Sequence, residues 1–282
     1  MVQWLGRVQK KGKQMKISPK EIQEQRLNEE TLFEAVRQVR EGGVVILEKT
    51  MTQEWSDRMR EAWDGYVEGR LLETHTQNGL LGMPFIDPLA IENPWGVQIL
   101  EEIMGKDFWG RLPYHCNSTA PNWPETQFIH RDQAHLFADI PIALPPHMMI
   151  IHIPLVDFTE ENGSTEVWPG THLITDYAES LNLADADGGG RLEERAATMP
   201  SVRTNMPAGS TLIRDMRVWH RGMPNCTNHR RTMLSLVYHR HFPTLPYQSK
   251  WVDPLSPEIM KQLSERAQYI FRFNKESAHK SS

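Results

Sequence analysis

From residue 19 to about 41 the apolar positions fall at helical spacing. Ile22, Leu27, Leu32, Phe33, Val36 and Val39 share one face, and Gly42-Gly43 closes the run. The spacing predicts one helix over this stretch. Val44-Val45-Ile46-Leu47 follows as a short unbroken apolar run and reads as a buried strand. Helical spacing returns at about 52–66, around Trp55, Met59, Trp63 and Tyr66, and again from Val97 to Met104 behind the start signal Asn93-Pro94. From about residue 112 the period shortens. Thr126–His130, His147–Leu155, Ser164–Trp168, Thr211–Arg214 and Thr232–His241 read as strands separated by Pro and Gly. Helices first, then short strands without interleaved helices, predict an α+β chain that is mainly β, of jelly-roll type.

No linker or internal repeat interrupts the pattern, so residues 19–275 read as a single domain. Residues 1–18 form a basic segment (Arg7, Lys10, Lys11, Lys13, Lys16) expected to be flexible, and 276–282 a frayed tail. Leu183–Pro200, with Asp185-Ala186-Asp187-Gly188-Gly189-Gly190, is the most loop-like interior stretch; it reads either as an active-site lid or as a passive surface loop. At 282 residues the chain can bury a substantial core. Thirty-one Lys and Arg against thirty-six Asp and Glu give a formal net charge of −5, which argues against a nucleic-acid partner. Two cysteines do not make a disulfide framework, and no apolar run approaches the roughly 20 residues of a membrane span. With no signal-peptide core and no peroxisomal address in Ala278-His279-Lys280-Ser281-Ser282, the expected compartment is the cytoplasm. Oligomeric state is not readable.

Against that background one constellation carries chemistry. Phe128-Ile129-His130-Arg131-Asp132 and the distant Val218-Trp219-His220 supply two histidines and one carboxylate. This is the composition of the facial triad that holds Fe(II) and leaves adjacent positions open. On a strand, residues i and i+2 share a face, so His130 and Asp132 point together while Arg131 points away. An isolated His-x-Asp is a weak motif, and its weight here comes from His220 and from Arg230-Arg231 beyond it. An arginine fork suits a carboxylate, which fits a dicarboxylate cosubstrate such as 2-oxoglutarate. Alternation puts Arg230 and Arg231 on opposite faces, and periodicity alone does not choose between them. Among the other histidines, His152 reads either as cavity-lining or as a satisfied core residue, His135 and His172 as structural, and His229, His239 and His241 lack ligand spacing.

Three segments resemble the phytanoyl-CoA hydroxylase family of iron- and 2-oxoglutarate-dependent oxygenases. They are His130-x-Asp132; Ile153-Pro154-Leu155-Val156-Asp157 through Glu161-Asn162-Gly163-Ser164 to Trp168-Pro169-Gly170-Thr171-His172; and Ala208-Gly209-Ser210 through Trp219-His220-Arg221-Gly222 to Arg231. The resemblance spans roughly 30–245. It implies a double-stranded β-helix, or cupin-like jelly roll, with N-terminal helices buttressing one sheet. It implies Fe(II) on His130, Asp132 and His220, 2-oxoglutarate on Arg231 (which breaks the tie with Arg230), and O2 as oxidant. Some members carry a serine where this chain has Gly222, so secondary cosubstrate contacts are expected from Tyr114, Asn117 or Gln133. The implied reaction is hydroxylation, or a related desaturation or cyclisation, of a small-molecule substrate, possible in specialised metabolism, with release of succinate and CO2. Halogenating relatives lack the carboxylate that Asp132 retains. Trp168, Trp219, Arg214 and His152 are the candidate substrate contacts, with Arg221 as a further cavity candidate or a salt-bridge partner. Rival readings are a cupin-like Zn or Mn hydrolase or isomerase on the same ligands, and a non-catalytic binding protein.

Overall fold

The computed structural model describes residues 14–68, 76–78, 82–137, 140–175, 190–242 and 253–274. The N-terminal basic segment up to residue 13, the stretch 183–189 and the tail from 275 lie outside the described residues. In chain order the helices are α1 (Pro19–Gln23), α2 (Glu29–Gly42), α3 (Gln53–Val67), α4 (Pro88–Ile91), α5 (Pro94–Met104), α6 (Gly190–Ala196), α7 (Pro257–Gln262) and α8 (Glu265–Ile270). The strands are β1 (Met15–Lys16), β2 (Val44–Glu48), β3 (Thr76–Asn78), β4 (Trp109–Gly110), β5 (His115–Thr119), β6 (Met148–Pro154), β7 (Glu166–Trp168), β8 (Val202–Arg203), β9 (Thr211–Asp215), β10 (Trp219–Arg221) and β11 (Arg231–His239).

The helix expected over 19–41 is two helices. Ser18 opens α1 with a capping box to Glu21, Gln25 takes a left-handed φ of 50°, and Asn28 caps a new start by accepting from Thr31 N. Local capping therefore overrides a continuous apolar stripe. Gly43 ends α2 at φ 79°, the left-handed position a helix C-terminus favours for glycine. A Cβ there would lie 2.3 Å from Val218, so the site is also sterically reserved.

Two sheets form the jelly roll. The larger runs β1-β2-β9-β6-β11-β5-β3 with β4 also on β11, and the smaller runs β10-β7-β8. All pairings except β1–β2 are antiparallel. The large sheet has two buried faces. Leu234, Leu236 and Tyr238 of β11 join Ile151 and Ile153 of β6 and Ile213 of β9 in one apolar core with Trp63, Trp95 and Leu100 of α3 and α5. Polar ties fix the register of helix on sheet: Asn93 caps α5 through Gly96 N (2.8 Å) and donates to Thr211 Oγ1 (3.1 Å), while Tyr238 Oη donates to Ile91 O (3.1 Å). The opposite face of the same strands turns toward the small sheet.

The strands expected at 44–47, 147–155, 164–168, 211–214 and 232–241 are present with small shifts of boundary. Thr126–His130 is not a strand. Pro121, Pro124 and a left-handed Asn122 (φ 52°) break any ladder, leaving bridges at Trp123–Asn225 and His130–His220. Within the loop expected at 183–200, residues 190–196 form α6. Its Leu192 and Ala196 pack on Trp168, Trp219 and Ile129.

Candidate metal centre and cavity

His130 sits on a loop, so its position comes from a few specific bonds rather than from a ladder. His130 N donates to His220 O (3.0 Å) and His220 N to His130 O (2.9 Å). Gln127 N donates to Gly222 O (3.0 Å), and Gly222 N to Gln127 Oε1 (2.8 Å). His220 is held from the other side by the Trp168–His172 turn, where Thr171 Oγ1 accepts from Trp219 N (2.9 Å) and donates to Trp168 O (2.7 Å). Glu193 of α6 accepts from Ile129 N (2.8 Å).

These bonds bring together His130, Asp132 and His220, whose ligand atoms all lie within 4.8 Å of one another. Asp132 Oδ1 is 3.7 Å from His130 Nε2 and 3.5 Å from His220 Nε2. Both imidazoles turn Nδ1 to a backbone carbonyl, Phe128 O at 3.0 Å and Val218 O at 3.1 Å. With the proton on Nδ1 of His130, its Nε2 lone pair is free for a cation, the usual way a protein fixes a ligand histidine. His220 Nδ1 lies between Val218 O and Arg214 Nη1 (3.2 Å), which together hold its ring with Nε2 toward Asp132. Burial, with Arg214 adding to it, drives His220 down to about 4, so the ring is neutral and able to ligate at neutral pH. Burial alone would raise the Asp132 carboxyl. His220 and the Arg214 guanidinium outweigh it and hold the group well below the usual carboxylate range. Arg214 Nη2 donates to Asp132 Oδ2 at 2.5 Å, which leaves Oδ1 for the metal position. Two imidazole nitrogens and one carboxylate oxygen, converging on one point with their outer atoms bonded, fit a divalent iron.

The triad opens onto a cavity of about 340 Å³. Thr119, Asn117 and His115 of β5 line it, as do Arg231, Met233, Ser235 and Val237 of β11. In the antiparallel register Thr119 faces Arg231, Asn117 faces Met233 and His115 faces Ser235. Arg231 is buried at one end. Its Nη1 donates to Gly163 O, its Nη2 to Thr119 Oγ1, and its guanidinium lies 5.0 Å over the Phe158 ring. Nε has no partner, and among the described residues no carboxylate pairs with Arg231. Burial lowers Arg231 to about 10, so it stays charged at neutral pH. A buried cation with an orphaned donor is costly unless an anion joins it. Gly163 is required here: at φ 81° a Cβ would meet Met223 O at 2.3 Å, and its carbonyl is what Arg231 holds. Arg230 points the other way, half-exposed, with Nη1 3.4 Å from Ser118 Oγ.

The remaining expected site residues divide. His152 lines the cavity, neutral by burial, with Nδ1 2.8 Å from Ser235 Oγ. Arg214 lines it too, but as the partner of Asp132, and Asn117 presents its amide to it. Tyr114 does not: it belongs to the apolar core, and its hydroxyl donates to Phe85 O at 2.8 Å. Gln133 lies off the cavity lining and is tied by its backbone to Met216 O (3.1 Å). Trp168 and Trp219 face away from the cavity into the cluster under α6, where Trp168 Nε1 donates to Ala196 O (3.2 Å). Strand alternation explains the miss, since both flank inward-facing Val167 and His220. Arg221 pairs with Glu166 (2.7 Å). Sequence reasoning overlooked Arg111, His115 and Gln127, all on the cavity wall. Polar alternation at His115, Asn117 and Thr119 was the available signal.

Comparison with known proteins agrees with this geometry. The chain is 25% identical over 260 residues to the multifunctional dioxygenase prhA of Penicillium brasilianum, covering 85% of this chain and 82% of that protein. It is 29% identical over 177 residues to the multifunctional dioxygenase ausE of the same organism, covering 60% and 55%. In fold it is similar to the non-haem α-ketoglutarate-dependent carbocyclase SnoK from nogalamycin biosynthesis (TM-score 0.59, 20% identity, 83% of this chain and 95% of that one). It is also similar to the epimerase SnoN from the same biosynthesis (TM-score 0.56, 18% identity, 75% and 84%). Residues 90–233, just over half of the chain and including the whole triad and Arg231, match the description Phytanoyl-CoA dioxygenase (PhyH). The chain therefore belongs to the phytanoyl-CoA dioxygenase family, whose iron- and 2-oxoglutarate-dependent chemistry its donor set fits.

Proposed function

We propose that the protein oxidises a C–H bond of a small organic metabolite, with His130, Asp132 and His220 holding Fe(II) and Arg231 holding the C5 carboxylate of 2-oxoglutarate. The observation that carries the reading is the pairing of a three-donor cluster with a buried, carboxylate-free arginine on one cavity. When bound, the iron supplies dioxygen activation coupled to oxidative decarboxylation of the cosubstrate. The balance is R–H + 2-oxoglutarate + O2 → R–OH + succinate + CO2.

The chain's own residues bind, orient and exclude water. Phe128 O keeps His130 in the tautomer that ligates, and Val218 O and Arg214 orient the His220 ring through its Nδ1. Arg214 keeps Asp132 ionised and aimed. Asn117 and Thr119 flank Arg231 and are the cosubstrate's polar neighbours. Ile150, Leu212, Met216 and Val237 give the rest of the cavity apolar walls. Because Asp132 retains the carboxylate, hydroxylation, or a related desaturation or cyclisation, is preferred over halogenation; the carbocyclase and epimerase names of similar folds mark cyclisation and epimerisation as outcomes of those proteins. At about 340 Å³ the cavity sits at the low end of small-molecule pockets and must hold the cosubstrate as well. A specialised metabolite fits it better than a coenzyme A thioester. No helix among the described residues is long and apolar enough to cross a membrane, and Cys116 and Cys226 are both free thiols. We assign the protein to the cytoplasm on that basis.

Succinate formation tests the reading. Purified protein given Fe(II), 2-oxoglutarate and O2 is expected to form succinate slowly without substrate, and to stop when the metal is chelated. Succinate formation that is indifferent to chelation, or absent with any divalent metal, contradicts it and favours the Zn or Mn enzyme or the binding protein.

A further inference from the structure

The cavity carries a second basic group far from Arg231. Along β11, Arg231 and Val237 are six residues apart, roughly 20 Å in an extended strand. At the Val237 end Arg111, on the link between β4 and β5, donates its backbone N to Val237 O (3.3 Å) and turns its side chain to the cavity. Arg111 Nη2 is 3.3 Å from His115 Nε2, and among the described residues no carboxylate pairs with it. Glu125 also lines the cavity, but it lies exposed on the 120–129 loop and forms no ion pair with Arg111.

Hydrogen-bond chemistry fixes the His115 tautomer. A guanidinium only donates, so Nε2 must accept and Nδ1 must carry the proton. Burial and the neighbouring Arg111 lower His115, which keeps the ring neutral. Nδ1–H is then a sealed donor with no acceptor among the described residues, so what His115 offers the cavity is its hold on Arg111. Arg111 retains donors beyond the one that His115 takes. Beside this pair lies an apolar patch, where Val237 pairs with Ile150 and both pack with Met216. Asp132, the other carboxylate on the cavity wall, is already engaged by Arg214.

We propose that the substrate is a small organic acid whose carboxylate is bound by Arg111, which His115 positions, with its hydrocarbon against Ile150, Met216 and Val237. This rests on the oxygenase reading above and adds the substrate class. The arrangement divides the cavity: the Arg231 end takes the cosubstrate and the Arg111 end takes the substrate acid, with the triad donors opening between them. Nothing in the oxidation consumes the carboxylate; it anchors the molecule so that a C–H of the hydrocarbon faces the metal position.

The test uses the anaerobic Fe(II)·2-oxoglutarate complex, in which Arg231 is occupied and turnover is prevented. A panel of linear, branched and aromatic carboxylic acids of about six to twelve carbons, each beside its methyl ester, is screened by thermal-unfolding shift and by perturbation of the visible metal-to-cosubstrate band. Acids are expected to bind in preference to their esters. Arg111→Gln is expected to weaken the bound acids roughly ten- to a hundredfold, the loss of one charge-assisted hydrogen bond, and His115→Phe to do so less. Arg111 is half-buried and, among the described residues, its side chain bonds only His115, so the substitution is expected to leave the fold intact, which the unfolding midpoint without acid checks. Esters binding as well as acids, an acid preference that survives Arg111→Gln, or no acid bound at all would overturn the proposal. Absence of the visible band before any acid is added overturns instead the oxygenase reading on which it rests.

Discussion

Strand β11 presents two buried faces with opposite tasks. Leu234, Leu236 and Tyr238 face the helices and join one continuous apolar core. Arg231, Met233, Ser235 and Val237 face the small sheet and line the cavity. Both faces are shielded from water, so burial does not distinguish them; partnering does. On the helix side the hydroxyl that β11 contributes is satisfied, Tyr238 donating to Ile91 O, although Trp63 Nε1 of α3 lacks a partner among the described residues. On the cavity side Arg231 Nε, His115 Nδ1 and Asn117 Oδ1 have no partner. Packing defects destabilise a protein, whereas unmet polar atoms converging on a cavity mark where something binds.

The sharpest way to separate the two faces is to remove the metal-side charge alone. Asp132→Asn keeps an acceptor for Arg214 but removes the anionic oxygen. Fe(II) affinity is expected to fall by more than about a hundredfold, beyond the loss typical of an outer partner, and succinate formation to disappear. Fe(II) titration with the succinate assay reads this, and wild-type turnover in the variant would contradict it.

Next come two substitutions only five residues apart. Arg231→Ala should raise the 2-oxoglutarate requirement by at least roughly thirtyfold, about 2–5 kcal/mol, because it removes one half of a buried charge pair. Leu236→Ala should cost about 2–5 kcal/mol of folding stability through the cavity it leaves in the core, with the 2-oxoglutarate requirement of the folded protein unchanged. Chemical denaturation and succinate kinetics on both variants expose any exchange of these phenotypes, which would erase the distinction between faces.

Arg214 sits on the boundary. Its role is positioning, so Arg214→Met should lower Fe(II) affinity by roughly ten- to a hundredfold, the range for an outer partner of a metal ligand. A merely structural role would move the unfolding midpoint and leave metal affinity alone.

A further effect is graded with pH. Burial, with Arg217 adding to it, takes His135 and His147 down to about 4; burial with Arg111 takes His239 to about 3. Unfolded, each titrates near 6.5. Between those values the unfolded chain binds more protons, so this contribution to stability is full above about pH 6.5. It is lost as pH falls toward 4, and toward 3 for His239. Urea midpoints of the metal-free protein should therefore drop from pH 7.5 to 4.5; a flat profile would show that these rings are solvated.

Much of this was legible from residues alone. The helix stripes and the apolar runs of β2 and β6 follow from local period, and the His130, Asp132 and His220 cluster from composition and spacing, whereas period left Arg230 and Arg231 tied and only the family resemblance favoured Arg231. What was not legible depended on which buried face a strand residue takes. His115, Asn117 and Thr119 alternate with buried Cys116 and Ser118 in a pattern that reads as a solvent face, yet they line an interior cavity. Trp168 and Trp219 stand next to inward residues and therefore point outward, under α6. The His130 loop escaped because Trp123–Asn225 and His130–His220 are single bridges made across the fold, with no periodic signature of their own.

The central claim is that one cavity holds a metal on His130, Asp132 and His220 and a dicarboxylate on Arg231. The most direct measurement is an anaerobic titration of the metal-free protein with Fe(II) and then 2-oxoglutarate, following the weak visible band of a chelated 2-oxo acid in wild type, Arg231→Ala and Arg230→Ala. The account predicts that the band forms, and that only the Arg231 change shifts it to much higher 2-oxoglutarate. No band in wild type, or equal shifts in the two arginine variants, would contradict it.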